Sequence, residues 1–154
     1  MERLRKRLES AKKALVSFEQ LATIEMPTDV ERDAAIQRFG FSFEASWKAA
    51  KQYLYDIEGV DIGSPKGVIR SCREVQLLED DETVLALEMV NDQNLTVHTY
   101  NEEVAIKIHS NLHRYYALLQ RWVERMVERA VEQERCLTTS GVGTVLNAGR
   151  SIGN

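Results

Sequence analysis

A histidine and a tyrosine two residues apart form the pair in this sequence that is most readily suited to chemistry. The run 92–100, DQNLTVHTY, contains Gln93, Asn94, His98 and Tyr100. The His98 imidazole can transfer a proton near neutral pH, and the Tyr100 phenol can donate a hydrogen bond, accept one or be modified. The run therefore offers a candidate proton-transfer group, His98, beside a phenol, and the amides Gln93 and Asn94 precede them in the same run.

The same two residues also allow structural interpretations. A histidine at a helix end can serve as a C-terminal cap, and a tyrosine just beyond it can anchor the chain against the next helix. From the residues alone, both interpretations of His98 and of Tyr100 stay open.

The remaining histidines and the cysteines do not predict a metal centre. His109 and His113 stand one helical turn apart, a spacing that can bind zinc, but no third ligand is evident near them in the sequence. Cys72 and Cys136 are isolated thiols without C-x-x-C spacing, so we expect them to be reduced and structural. We predict neither a metal nor another cofactor.

Length and composition define the class of protein that must position these residues. A chain of 154 residues with 44% hydrophobic content suits one ordinary core. It has two prolines and eight glycines, of which four lie at or after Gly141, so residues 1–140 contain few helix breakers. These features predict an all-α domain.

The sequence also lacks signals for a membrane. No apolar run approaches the roughly 20 residues that cross a bilayer, and residues 1–7, MERLRKR, lack the apolar stretch of a secretory signal. We therefore expect a cytoplasmic protein with no membrane partner.

Apolar spacing and capping residues predict the first two helices. Apolar residues follow steps of three and four from Leu4 to Ala22, which indicates a first helix. Thr28 with Glu31 has the form of a capping box and opens a second helix that ends near Gly59. Gly40 lies inside this helix and is expected to weaken or bend it.

The next three helices follow from similar signals. Ser64-Pro65 opens a third helix, predicted from about Pro65 to Leu78. The acidic run 79–82 opens a fourth helix, which carries the His98 run. Asn101 caps the last and longest helix. The prediction is an antiparallel bundle of four to five helices over residues 1–136, followed by a flexible C-terminal tail over residues 137–154.

Four segments resemble a known family in the same order along the chain. They are FSFEASWK at 41–48, SPKGVIR at 64–70, NLTVHTY at 94–100 and Tyr115-Tyr116. Together they resemble the substrate-binding subunits of two-component minimal nucleotidyltransferases, helical proteins of the HEPN superfamily that includes the HepT toxins. The resemblance extends from about Leu15 to Leu119.

The resemblance implies a helical bundle that forms a homodimer and pairs with a separate minimal nucleotidyltransferase. In ribonuclease-active members an arginine, four intervening residues and a histidine form the active site, and a tyrosine follows after one more residue. By that pattern His98 is the histidine, Asn94 the polar neighbour of the arginine and Tyr100 the tyrosine, which is also the candidate nucleotide acceptor. Gln93 occupies the arginine position.

The replacement of arginine by Gln93 weakens the case for RNA cleavage. Cleavage without a metal needs a proton-transfer group, for which His98 is suited, and a cation that neutralises charge growing on the phosphate. An arginine finger contributes roughly 10³ to 10⁵ in rate in phosphoryl transfer, and Gln93 carries no charge. Arg70 or Arg73 could replace it only if the fold brings one of them to the site.

The charge pattern also disfavours RNA as a partner. Residues 74–105 contain nine acidic side chains and no lysine or arginine, and the net charge of the chain is −4. Because binding to nucleic acids depends largely on cations that meet phosphates, a surface built from this stretch should repel RNA.

Two functions are consistent with these residues. The first is the substrate-binding or partner subunit of a two-component minimal nucleotidyltransferase, a toxin–antitoxin-like module in which Tyr100 is itself modified with AMP. No glycine-rich phosphate loop appears in the sequence, so this function expects no catalysis by the chain alone. The alternative is a metal-independent HEPN endoribonuclease toxin that uses His98 and Asn94 and is weakened by Gln93.

Overall fold

The chain folds into five α-helices. The computed structural model describes the backbone of residues 1–152 and the side chains of residues 1–139. No strand occurs in this described backbone, which confirms the predicted all-α bundle. The helices are α1 (Glu2–Ala22), α2 (Asp29–Glu58), α3 (Pro65–Glu74), α4 (Asp80–His98) and α5 (Glu102–Ile152).

The capping residues read from the sequence begin the helices where expected. Thr28 and Glu31 form a complete capping box at the start of α2, with each side chain bonded to the other residue's backbone N–H. The Asn101 side chain accepts a hydrogen bond from the Val104 backbone N–H at 2.9 Å and caps α5. Gly59 ends α2 in the left-handed region with φ 69°, a conformation that glycine adopts without steric cost.

The core lies between the three long helices. Helices α1, α2 and α5 pack against one another. Helix α3 packs on α2 and on α4, and α4 in turn packs on α5. An aromatic cluster occupies the centre: the Phe39 ring stacks on Tyr115 with centroids 5.4 Å apart and also contacts Phe18 and Phe43. This cluster fixes the face of α5 against which α4 packs.

Helix α3 is shorter than the sequence predicted. It ends at Glu74 instead of Leu78, because Gln76 takes φ 63° and the chain turns out of the helix there. The Leu77 and Leu78 N–H groups both bond to the Cys72 carbonyl oxygen, which directs these two leucines into the core. The apolar pattern that continues through Leu78 therefore indicates that Leu77 and Leu78 are buried, and it does not indicate that they are helical.

The end of α5 differs in conformation from the predicted tail. The helix includes residues 137–152, for which the sequence predicted a flexible segment. The side chains beyond residue 139 lie outside the described part of the chain, and the boundary at residue 137 stays a prediction. The last core residue of the described helix is Met126, and most side chains from 131 to 139 are exposed.

None of the helices in the described residues combines the length and the apolar character that crossing a membrane requires.

Candidate functional site

A shallow groove lies between α2 and the C-terminal half of α4, and we call it the α2/α4 groove. It contains two of the four predicted site residues, Gln93 and Tyr100. Its α2 wall includes Asp33, Gly40, Phe41 and Glu44.

Gln93 packs closely against α2 at Gly40. A Cβ atom added to Gly40 would lie 3.3 Å from the Gln93 amide nitrogen, tighter than ordinary van der Waals contact. The Gln93 side-chain oxygen is buried and has no hydrogen-bond partner in the described part of the chain. Gly40, where the sequence predicted a weakened or bent helix, is thus a position at which α2 and α4 come close together. Helix α2 continues through Gly40 without a break.

A buried hydrogen bond fixes the register of α4 beside Gln93. The Tyr115 hydroxyl donates to Asp92 Oδ2 at 2.5 Å, and the Lys107 ammonium lies 3.7 Å from Asp92 Oδ1. Burial of Tyr115, and then its hydrogen bond to Asp92 and the Asp92 charge, raise the pKa of the phenol well above its usual range. Asp92 is therefore a structural carboxylate that turns Gln93 towards the groove.

The start of α4 is held to α5 by ion pairs. Buried Glu82 accepts hydrogen bonds from Arg125 at 2.6 Å and Arg121 at 3.1 Å, and it also closes the capping box with Glu79. Burial by itself would raise the pKa of Glu82, but the hydrogen bonds from Arg125 and the Glu79 backbone and the two guanidinium charges lower it overall.

Tyr100 follows α4 and reaches back to α2. Its hydroxyl donates to Asp33 Oδ1 at 2.5 Å, a contact between residues 67 positions apart. The side chain is 47% exposed, so solvent reaches it at the edge of the groove. Partial burial, and then the hydrogen bond and charge of Asp33, raise the pKa of Tyr100 to about 12. The phenol is therefore neutral and hydrogen-bonded at physiological pH.

Asn94 and His98 lie outside the groove. Both are exposed, and since four residues make about one helical turn, they share one side of α4. Gln93 is turned away from that side by roughly 100° or more. The structure therefore brings Gln93 and Tyr100 together and leaves Asn94 and His98 on the adjoining exposed surface.

No cation replaces the missing arginine within the described groove. Arg70 and Arg73 line a separate depression between α3 and the start of α4, where Arg73 bonds to Asp80 at 2.6 Å. The charged residues that line the α2/α4 groove are Asp33 and Glu44, both acidic.

The acidic stretch 74–105 is less uniformly negative than its sequence suggested. Three of its nine carboxylates are paired with cations: Asp80 with Arg73, Glu82 with two arginines, and Asp92 with Lys107. The reason is tertiary, since most of these cations come from α5, beyond the stretch.

The two other histidines lie at a different place in the fold. His109 and His113 line a depression with residues 22–25 at the end of α1. Burial, and then the charge of Arg32, lower the pKa of His109. Among the described residues, no group of three or more His, Cys, Asp or Glu side chains is placed to hold a metal ion.

Asp33 and Gly40 were not predicted as site residues. Asp33 looks like an ordinary acidic residue in the first turns of a helix, and nothing local connects it with Tyr100. Gly40 did stand out, as a glycine inside a helix, but the sequence could not show which side chain approaches it.

The family of the chain follows from its sequence. A family model described as "nucleotidyltransferase substrate binding protein like" matches residues 6–128. The chain belongs to this family. No curated protein matched it.

Solved structures share the fold. A protein from Thermus thermophilus is 53% identical, with a TM-score of 0.73 over 75% of this chain and 98% of that chain. A chain from the complex of the tri-AMPylated Shewanella oneidensis HEPN toxin with its MNT antitoxin is 13% identical, with a TM-score of 0.66 over 81% and 96% of the two chains. A chain from a mutant MntA–HepT toxin–antitoxin complex is 13% identical, with a TM-score of 0.68 over 83% and 99%. At 13% identity the last two show a common fold.

Proposed function

We propose that this chain is the partner subunit of a two-component minimal nucleotidyltransferase, and that Tyr100 accepts a nucleotidyl group from the partner. The observation that carries the proposal is the position of Tyr100: a hydrogen-bonded phenol, 47% exposed, in the loop after α4 and at the edge of a groove. The family to which the chain belongs supports it. So does the shared fold with a HEPN toxin that is AMPylated and bound to an MNT antitoxin.

The charge of the α2/α4 groove is consistent with a partner that supplies the nucleotide. Phosphates bind to cations and to backbone N–H groups at helix N-termini, whereas the described charged residues of the groove are the carboxylates of Asp33 and Glu44. This chain would therefore present the acceptor phenol, and the partner would hold the triphosphate and its metal ion.

Co-expression tests the proposal. If a minimal nucleotidyltransferase is encoded beside its gene, the chain is produced together with that protein, and the purified material is examined by intact-mass and peptide mass spectrometry. We expect a stable complex and one or more AMP additions on Tyr100. Tyr100→Phe should abolish the addition, whereas Tyr55→Phe should not, because Tyr55 is a similarly exposed phenol on α2. A wild-type chain that neither binds the partner nor gains mass would contradict the proposal.

A metal-independent ribonuclease is the second candidate. One observation favours it: Asn94 and His98 are exposed and share one side of α4, where a substrate could reach both. Against it stands Gln93, an uncharged side chain packed on Gly40 where the family pattern has arginine. We expect little or no RNA cleavage by the purified chain. Robust cleavage that is lost in His98→Ala and kept in His113→Ala, an exposed histidine elsewhere, would reverse the ranking.

We also propose that the chain forms a homodimer and acts in the cytoplasm. Exposed apolar side chains flank the site, with Phe41 on α2 61% exposed and Val97 on α4 70% exposed. Their burial against a second copy would remove apolar surface from water. Light scattering coupled to size-exclusion chromatography would show a dimer for the wild type and a monomer for Phe41→Glu/Val97→Glu if this face is the interface.

A further inference from the structure

Two tyrosine–aspartate pairs in this molecule have the same length and different surroundings. Tyr115 donates to Asp92, and Tyr100 donates to Asp33, each at 2.5 Å. The first pair is buried, with Tyr115 0% and Asp92 5% exposed, and it joins α4 to α5 in the core. The second pair lies at the surface, where Asp33 is exposed and Tyr100 is 47% exposed.

The exposed pair is poorly explained as a stabilising contact. Hydrogen bonds and ion pairs that stay in contact with water contribute little to stability, because both groups are solvated when the contact breaks. The position does give the pair access to another molecule. The phenolic oxygen can be approached from solvent while its proton already points at a carboxylate.

Nucleotidyl transfer to a tyrosine needs such an arrangement. The phenolic oxygen forms a bond to the α-phosphorus of a nucleoside triphosphate, the bond from that phosphorus to the bridging oxygen breaks, and pyrophosphate leaves. The phenolic proton must go to a base as the new bond forms. With a pKa of about 12, Tyr100 is almost entirely protonated near neutral pH, so its own ionisation supplies little phenolate.

We propose that Asp33 is the catalytic base for the modification of this chain, and that its carboxylate takes the phenolic proton of Tyr100 while the partner transfers the nucleotidyl group to that oxygen. Asp33 Oδ1 is the atom that accepts the hydrogen bond, so the proton has a short, direct path. The acidity of the phenol rises as its oxygen bonds to phosphorus, and the transfer becomes favourable along the reaction. The proton then passes to water. This inference rests on the proposed function.

Arg32, the residue before Asp33, also acts on the Tyr100 phenol. This side chain is 15% exposed, and its guanidinium bonds to Asp29 at 2.9 Å. Its Nε is buried and has no hydrogen-bond partner in the part of the chain that the structure describes. The positive charge of Arg32 acts on Tyr100 in the direction that lowers the phenol pKa, opposite to the effect of Asp33.

Two substitutions of Asp33 distinguish a catalytic base, which takes the proton, from a residue that only positions Tyr100 through a hydrogen bond. Asp33→Asn keeps an oxygen that can accept the Tyr100 hydrogen bond but cannot take the proton, and Asp33→Ala removes both functions. The full chain and its partner are mixed with ATP and Mg²⁺, and the initial rate of AMP addition is followed by intact mass. As a general base contributes roughly 10² to 10⁴ in rate, we expect both variants to be slower by about 100-fold or more. Asp81→Asn, which makes the same change at an exposed aspartate in the first turn of α4 and away from the groove, should react at close to the wild-type rate.

The outcomes distinguish this inference from the proposed function. If Asp33→Asn reacts like the wild type and Asp33→Ala is slow, Asp33 only positions Tyr100 and the inference is wrong. Wild-type rates in both variants would also overturn it, while leaving Tyr100 as the acceptor. A wild-type chain that is not modified would overturn the proposed function and this inference together. Circular dichroism and co-elution with the partner confirm that each variant is folded and bound.

Discussion

Tyr100 and Gln93 both contact α2, since the Tyr100 hydroxyl donates a hydrogen bond to Asp33 and the Gln93 amide packs against Gly40. The run 92–100 predicts both as site residues, and both line the α2/α4 groove. What each contacts, Asp33 for Tyr100 and Gly40 for Gln93, comes from α2, more than 50 positions earlier in the chain. Local patterns contain no information on such pairings, which arise when the helices pack.

At the same scale, the ionisation of Tyr100 should depend on Asp33. Burial and Asp33 together raise the pKa of the phenol to about 12. Asp33→Ala removes the hydrogen bond and the negative charge, so the pKa should fall towards the ordinary value of 10. An ultraviolet pH titration, taken as the difference from the matching Tyr100→Phe protein, measures it.

The sign of the associated stability effect follows from the direction of the shift. A pKa raised in the folded state means that the folded protein retains a proton that the unfolded chain loses, so this contribution is present below the unfolded pKa and is lost as pH rises through the folded pKa. An unchanged titration in Asp33→Ala would show that the contact with Asp33 does not persist in solution.

At the scale of helices, the contact between Gly40 on α2 and Gln93 on α4 should give a measurable coupling free energy in a double-mutant cycle. Gly40→Ala removes a glycine from a helix interior, a gain of up to about 1 kcal/mol. The new Cβ would press on the Gln93 amide at 3.3 Å and offset part of that gain. We therefore expect Gly40→Ala to stabilise the Gln93→Ala protein more than it stabilises the wild type.

Urea denaturation of the four proteins gives the coupling free energy. Residues that touch commonly show a coupling of about 0.5 kcal/mol or more. Equal effects of Gly40→Ala in both backgrounds would mean that Gln93 does not pack on α2.

The attachment of α4 to α5 should depend on Glu82. Glu82→Gln removes the charge that Arg121 and Arg125 share, and we expect a loss of about 1–3 kcal/mol in the free energy of unfolding at neutral pH. Because the pKa of Glu82 is lowered in the folded state, its contribution is complete above the ordinary value of 4.5 and disappears as pH falls through the lowered value.

Denaturation of wild type and Glu82→Gln at several pH values measures this loss. The difference between the two should close in acid. Glu88→Gln, which changes an exposed glutamate on the same helix, should cost little at any pH. A pH-independent penalty in Glu82→Gln would assign the effect to packing and not to charge.

At the scale of the whole molecule, the predicted boundary at residue 137 can be tested by truncation. The buried side chains of α5 end at Met126, a few residues such as Ala130 are partly buried, and most of residues 131–139 are exposed. A chain that ends at Cys136 should therefore keep its core, and its Tm should stay within about 3 °C of the full chain, the shift expected for less than 1 kcal/mol in a domain of this size. Calorimetry of both chains measures the two Tm values. A much lower Tm for the truncated chain would mean that the last part of α5 contributes to the core.

Fold class and helix order were predictable because they depend on patterns that repeat over many residues. The stripe from Leu4 to Ala22 and the caps at Thr28 and Asn101 each suffice for one helix. The end of the third helix and the burial of Glu82 were not predictable, for one reason. Leu77 and Leu78 continue the apolar pattern and Glu82 is one of nine acidic residues in the stretch 74–105, but the packing of the helices buries all three.

The Tyr100 hydroxyl proton forms the hydrogen bond that joins the loop after α4 to Asp33 on α2, an exposed contact that by itself contributes little to stability. A phenol whose oxygen is esterified has none to donate, and a phosphodiester beside Asp33 adds a second negative charge at the same point. Repulsion between the two negative charges would therefore move the loop away from α2. Modification of Tyr100 would then raise the mobility of residues 99–101. Limited proteolysis at residues 99–101 should be faster for the modified chain than for the unmodified one. Equal rates would show that the modified loop keeps its contact with α2.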